Sequence, residues 1–159
     1  MDRELVRKPR SWRRYATAAL GTGAVLALVW WAYDWYVGTR RATATIVPYN
    51  HSRIGVDNFY VDGTWGGNSY PKTGGGSSVC CVLIPERWHD KLQVTVKWHL
   101  DPEPDANWHE KRVAVPRYDE PGEVQVHFYG GDTVKVLITN WDIRSPNNPL
   151  HDEWTKEKD

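Results

Sequence analysis

The chain has 159 residues, 20 of them Lys or Arg and 20 Asp or Glu, so it is formally neutral, and its mean hydropathy of −0.63 argues against a polytopic membrane protein. The neutrality conceals two unlike parts. Up to Arg41 eight basic residues oppose three acidic ones, leaving +5, and beyond it twelve basic oppose seventeen acidic, leaving −5. An acidic body with no basic stripe excludes a nucleic-acid-binding surface, which needs clustered cations to displace phosphate counterions.

Residues 15–33 are 19 in a row without a charge, a run that as a helix rises about 28 Å, close to the hydrocarbon thickness of a bilayer. Six basic residues precede it, Trp12 and Tyr15 mark one end, and Trp30, Trp31, Tyr33, Trp35 and Tyr36 mark the other. Clustered cations on one side and aromatic residues at both ends are the pattern of a spanning helix with its basic end in the cytoplasm. The organisation expected is a basic cytoplasmic segment over 1–14, a transmembrane signal anchor over 15–37 in the inner membrane, a linker over 38–41, a periplasmic domain over 42–141 and an irregular polar tail over 142–159. Ala42-Thr43-Ala44 offers the alternative of a cleaved signal peptide. Retention is favoured, because the apolar run exceeds an ordinary signal core and Arg40 and Arg41 stand between it and that site.

From residue 42 onward the pattern has period 2. Over residues 92–100 five apolar residues alternate with four polar ones, which predicts a half-buried strand with Trp98 inside and His99 on the wet face. Shorter signals at 42–47, 54–61, 79–84, 110–115, 123–129 and 133–139 make about seven strands, separated by Gly, Pro and Asn. The last two allow a register argument. A three-residue loop, Gly130-Gly131-Asp132, pairs Phe128 with Val134, Val126 with Val136 and Val124 with Ile138, so that apolar faces match, whereas a two-residue loop mixes them. The fold predicted is all-β, a small antiparallel β-sandwich, immunoglobulin-like, behind a single N-terminal transmembrane helix.

Candidate chemistry is thin. Cys80 and Cys81 are the only cysteines and are adjacent. Neighbours in a strand point to opposite faces, so the reading favoured places one thiol in the core, with a vicinal disulfide as the alternative. Trp88-His89, Trp98-His99 and Trp108-His109 recur ten residues apart, which is hairpin spacing and matches no metal-ligand pattern. Ser77 and Ser78 follow Gly74-Gly75-Gly76 without the ending of a phosphate-binding loop or a nucleophile elbow. Neither an enzyme, a metal nor a cofactor is predicted. Ten Trp is a high count, and aromatic residues anchor interfaces and stack on sugars. Trp65, in a Gly-rich turn, and Trp108 are the candidate anchors, Asn68 lies beside the first, and Glu103, Asp105, Asp119 and Glu120 are candidate rim charges.

Asn50-His51, the run Phe59-Tyr60-Val61-Asp62-Gly63-Thr64-Trp65-Gly66-Gly67-Asn68, and Gly74-Gly75-Gly76-Ser77-Ser78-Val79-Cys80-Cys81, with Trp88 and Trp98 after them, resemble the bacterial domain-of-unknown-function family numbered 3304. The resemblance implies an envelope protein, and for some members a role as immunity proteins against phospholipase effectors of type VI secretion systems. Here a spanning segment replaces the lipidated cysteine of many such proteins. The expectation is therefore an anchored periplasmic binding protein whose partner is a protein, in its sharpest form a secreted lipase-class toxin. The alternative is an envelope structural or glycan-contacting module without catalytic activity.

Overall fold

The computed structural model describes residues 11–75, 77–104, 107–130 and 132–156, with the side chains of 11–14 and 16–18 left aside. Two units make up the chain, divided between Thr39 and Arg40. The first contains helix α1, Ser11–Thr39, whose large apolar side chains from Leu20 to Tyr36 are exposed around its circumference. Among the described residues no helix is long and apolar enough to cross a membrane.

The second unit is mostly β. Its strands are β1 (Arg41–Asn50), β2 (Gly55–Val61), β3 (Thr64–Ser69), β4 (Val79–Pro85), β5 (Gln93–Asp101), β6 (His109–Ala114), β7 (Glu123–Phe128) and β8 (Val134–Thr139), followed by a short helix α2 (His151–Lys156). They form two four-stranded sheets, in the orders β4-β1-β7-β8 and β3-β2-β5-β6. Phe128↔Val134, Val126↔Val136 and Val124↔Ile138 pair as the matched apolar faces require, and Tyr129 N–H donates to the Thr133 carbonyl at 2.9 Å. Gly131 itself lies outside the described residues. Between the sheets, Ile46, Phe59, Val61, Val96, Trp98, Val124 and Val126 form a core at or near zero exposure.

Four expectations are corrected. Among the described residues there are eight strands where about seven were expected, because the Gly-rich stretch at Trp65 is β3 and not a turn. Gly66 makes this possible: the Phe59 ring lies against its backbone, where any Cβ would collide with Cε2, Cζ and Cδ2 of that ring. The sandwich is not purely antiparallel, since β1 runs parallel to β7 with Ile46↔Val124 and Tyr49↔His127. The partition of strands also differs from the immunoglobulin order, so the likeness to that fold stops at two packed sheets. The tail is not irregular throughout: Trp154 of α2 is buried with Val47, Tyr49, Leu137, Ile143 and Leu150 on the outer face of the first sheet. That sheet is covered on both faces, which is why residues 46–50 of β1 are buried without alternation.

Polar bonds fasten this strap. Asn148 Nδ2 donates to Gln125 Oε1 at 2.9 Å, and Gln125 Nε2 donates to the Trp141 carbonyl at 3.0 Å. Glu153 accepts from Tyr129 Oη at 2.6 Å and from Lys135 Nζ at 2.7 Å. Beneath α2, His51 Nε2 and His127 Nδ1 lie 2.9 Å apart, and Tyr49 stacks on His127 with ring centroids separated by 4.8 Å.

Cys80 and Cys81 are joined as a vicinal disulfide across a cis peptide, and both are exposed. The expectation that one thiol enters the core fails because they sit on β4, an edge strand whose pairing with β1 shifts register between Ala44 and Ile46, so alternation does not extend from Val82 back to Cys80. Alkylation of denatured, unreduced protein is expected to modify neither cysteine, and modification of both after reduction. Two reactive thiols before reduction would count against the bond.

Candidate functional site

The outer face of the second sheet carries aromatic side chains, and strand register sets them in one row with charged neighbours. Residues directly opposite across neighbouring strands share a face. Trp65 of β3 faces Tyr60 of β2, Tyr60 faces Lys97 of β5, and Lys97 faces Glu110 of β6. Trp108, two residues before Glu110, belongs to the same face: its ring is 5.9 Å from Tyr60, and Lys97 Nζ lies 4.9 Å from its centroid, within cation–π range. Trp65 is 50% exposed and Trp108 39%. Trp65 Nε1 donates to Asn58 Oδ1 at 3.2 Å, which fixes the indole on the surface. An open cavity of about 480 Å³ runs between Tyr60, Gly63, Thr95, Lys97, Trp108 and Glu110.

His99 occupies the outer face, as its parity predicts, yet it is buried rather than wet. Trp108 covers it with ring centroids 5.5 Å apart, and Nε2 meets the Pro104 carbonyl at 3.1 Å. It serves as a floor under Trp108. His109 is held between Glu103 and Asp132, with both ring nitrogens 2.8 Å from a carboxylate oxygen. The three groups converge as metal ligands do, but an imidazole with both nitrogens engaged has no lone pair to offer a cation. Among the described residues no cluster of three or more such side chains is arranged to hold a metal.

The predicted anchors Trp65 and Trp108 thus lie on one face, and Glu103 borders it through His109. Asp119 and Glu120 do not join them. They line a separate cavity of about 430 Å³ with Arg117, Trp141 and Pro149, and Asp119 is 3.5 Å from Arg117. Asn68 is exposed at a third place, a cavity of about 290 Å³ shared with Ser69, Tyr70, Thr73 and Ser77. Asp105 and Gly76 lie outside the described residues. Sequence reasoning missed Tyr60 and Lys97, although the alternation that buries Phe59 and Trp98 already turns their neighbours outward.

The residues that carried the family resemblance now divide by role. Trp98 is core, and Trp88 is half-buried, with Nε1 donating to the Val115 carbonyl at 2.8 Å. Asn50 Nδ2 donates to the Ile54 and Ser69 carbonyls, at 2.8 and 3.2 Å, while its Oδ1 accepts from Ser52 N–H. Gly66 makes room for Phe59, and Gly74 for Tyr49 and Trp154. Gly67 and Gly75 have positive φ. Packing and backbone geometry therefore account for these, whereas Trp65, Asn68, Cys80 and Cys81 face solvent, as do Asp62, Gly63, Ser77 and Ser78 of the same runs. The family described as protein of unknown function (DUF3304) matches over residues 49–136. The chain belongs to that family. Comparison with curated proteins and with solved structures returns no match. The DUF3304 match takes in β2 to β7 whole, and with them every residue of the aromatic face.

Proposed function

We propose that the chain is a non-catalytic binding protein, anchored in the inner membrane by α1, whose periplasmic β-domain receives a partner protein on the aromatic face of its second sheet. One observation carries the reading: Trp65, Tyr60, Lys97 and Glu110 stand in a single cross-strand row beside Trp108, with the exposed indole of Trp65 held by Asn58 and that of Trp108 by His99. Interface energy concentrates in a few aromatic and charged residues of this kind. Anchoring is supported by the uncharged run over 15–33 with its basic and aromatic flanks, and the −5 of the body favours a partner with a basic patch. In its sharpest form, following the family resemblance, the partner is a phospholipase toxin of a type VI secretion system and the protein confers immunity by covering it.

The test is co-expression with the product of the neighbouring gene. Binding and rescue of growth are expected. Trp65→Ala or Trp108→Ala is expected to weaken binding by about 2 kcal/mol, some thirtyfold, as for an interface hot spot. Unchanged affinity in both variants would remove this face from the interface.

A second reading, a glycan-contacting module, is favoured by the half-exposed indoles with an amide and an ammonium beside them, since sugars stack on aromatic faces and bond to flanking polar groups. A shift of tryptophan fluorescence with peptidoglycan fragments, lost in Trp65→Ala, would select it over the protein partner.

A further inference from the structure

The aromatic face ends at Trp108, and the next residue is held by charge. His109 Nδ1 is 2.8 Å from Asp132 Oδ1 and its Nε2 is 2.8 Å from Glu103 Oε2. Carboxylate oxygens only accept, and a neutral imidazole carries a single N–H, so both bonds exist together only when the ring is an imidazolium. The two acids come from different places. Glu103 belongs to the loop between β5 and β6, and Asp132 to the hairpin between β7 and β8 of the opposite sheet. The imidazolium also stacks on the buried Trp98, with centroids 5.4 Å apart and planes 16° from parallel.

The same loop holds Trp108 from its other side. Pro104 lies next to Glu103, and its carbonyl meets the Nε2 of His99, the ring beneath Trp108. Glu103 N–H and Asn107 N–H close the loop on the Leu100 and Pro104 carbonyls, at 2.9 and 2.8 Å. Moving Glu103 therefore moves the support of Trp108.

We propose that His109 is a proton-operated staple that fixes Trp108: the aromatic face is assembled while the imidazole is charged and loosens when it loses a proton. This rests on the aromatic face being the binding surface, and it names the regulation of that surface. Among the described residues the charged groups facing His109 are Glu103 and Asp132, with Lys111 Nζ bonded to the Asp132 carbonyl at 3.1 Å. Around Trp108 stand Lys97 above the ring and His99 below, with Asp57 3.9 Å from His99. The hydrogen bond to Glu103 raises the pKa of His109 above the ordinary histidine value, burial opposes it, and Asp132 raises it further. A neutral ring keeps one bond, and the other carboxylate is left facing a lone pair.

The experiment is an NMR titration of the full chain in detergent, following the His109 ring and the Trp108 indole N–H, the latter assigned by its loss in Trp108→Phe. The His109 midpoint is expected above about 6.5, with the Trp108 signal shifting at the same midpoint. In His109→Gln that shift should vanish, and Glu103→Gln should lower the midpoint more than Asp132→Asn does. A Trp108 signal that stays fixed through the His109 midpoint, or a midpoint below about 6.5, would overturn the staple. Neither readout involves a partner. If Trp108→Ala leaves partner affinity unchanged while the two titrations coincide, the binding surface is wrong and the staple stands; if affinity falls and the titrations do not coincide, the staple is wrong and the surface stands.

Discussion

Gly66→Ala is expected to destabilise the β-domain by about 3 kcal/mol, the upper range for adding a methyl to a filled core. The added carbon collides with three atoms of the Phe59 ring, which is fully buried. That ring cannot swing away, because it is already edge-on to Phe128, with centroids 5.2 Å apart. The alternative is for β3 to withdraw from β2, and β3 is an edge strand with no neighbour on its other side among the described residues to restore its pairing. Phe59→Ala removes the obstacle but leaves a cavity, at a cost of about 3–5 kcal/mol. The two effects share one volume, so the double variant should be clearly more stable than the sum of the single losses predicts, a coupling that a double-mutant cycle reads directly. Urea unfolding of the full chain in detergent, followed through the change in Trp fluorescence, supplies all four values. Additive losses would mean that the glycine serves something other than the Phe59 ring.

What the sequence made legible was set by where alternation survives. The β7–β8 register followed from apolar parity because both strands turn Val124, Val126, Val136 and Ile138 to the same core. The parallel pairing of β1 with β7 was not legible, since it joins residues far apart in the chain and leaves no local periodicity. β3 was missed for a related reason: a strand whose inward residue is glycine has no side chain to reveal its parity, and the missing methyl is the Phe59 contact itself. Exposure of Trp65 and Trp108 was legible one residue at a time. Their assembly needed the order β3-β2-β5-β6, which also excluded Asp119 and Glu120 from the face. His99 had the correct side and the wrong solvation, because a loop and an indole fold over it.

Acidification is expected to destabilise the domain before its carboxylates are neutralised. His127 is fully buried, and its pKa is pushed down to about 3 by burial first, with the charges of His51 and Lys135 adding to it. Its Nδ1 meets His51, whereas its Nε2 has no hydrogen-bond partner among the described residues, so nothing in the fold rewards a second proton. In the unfolded chain a histidine takes up its proton near pH 6.5. Below that point the unfolded state binds a proton that the native state refuses, and stability falls by about 1.4 kcal/mol per pH unit until about pH 3; above it the contribution is flat. Two neighbouring shifts do not obscure this window. His109 is raised, so below about 6.5 it is charged folded and unfolded alike, and its contribution disappears only as pH rises through its raised value. Glu153 is opposed by burial but lowered by the bonds from Lys135 and Tyr129, so its contribution is lost only as pH falls below the ordinary carboxylate range. Between about pH 6.5 and 5 the loss assigned to His127 is therefore about 2 kcal/mol. Urea midpoints measured from pH 7.5 to 4.5 should show it. His127→Asn, which retains an amide where Nδ1 meets His51, should be less stable at pH 7.5 and shallower in its pH dependence by one proton. Equal slopes in the two proteins would place the acid sensitivity in another group.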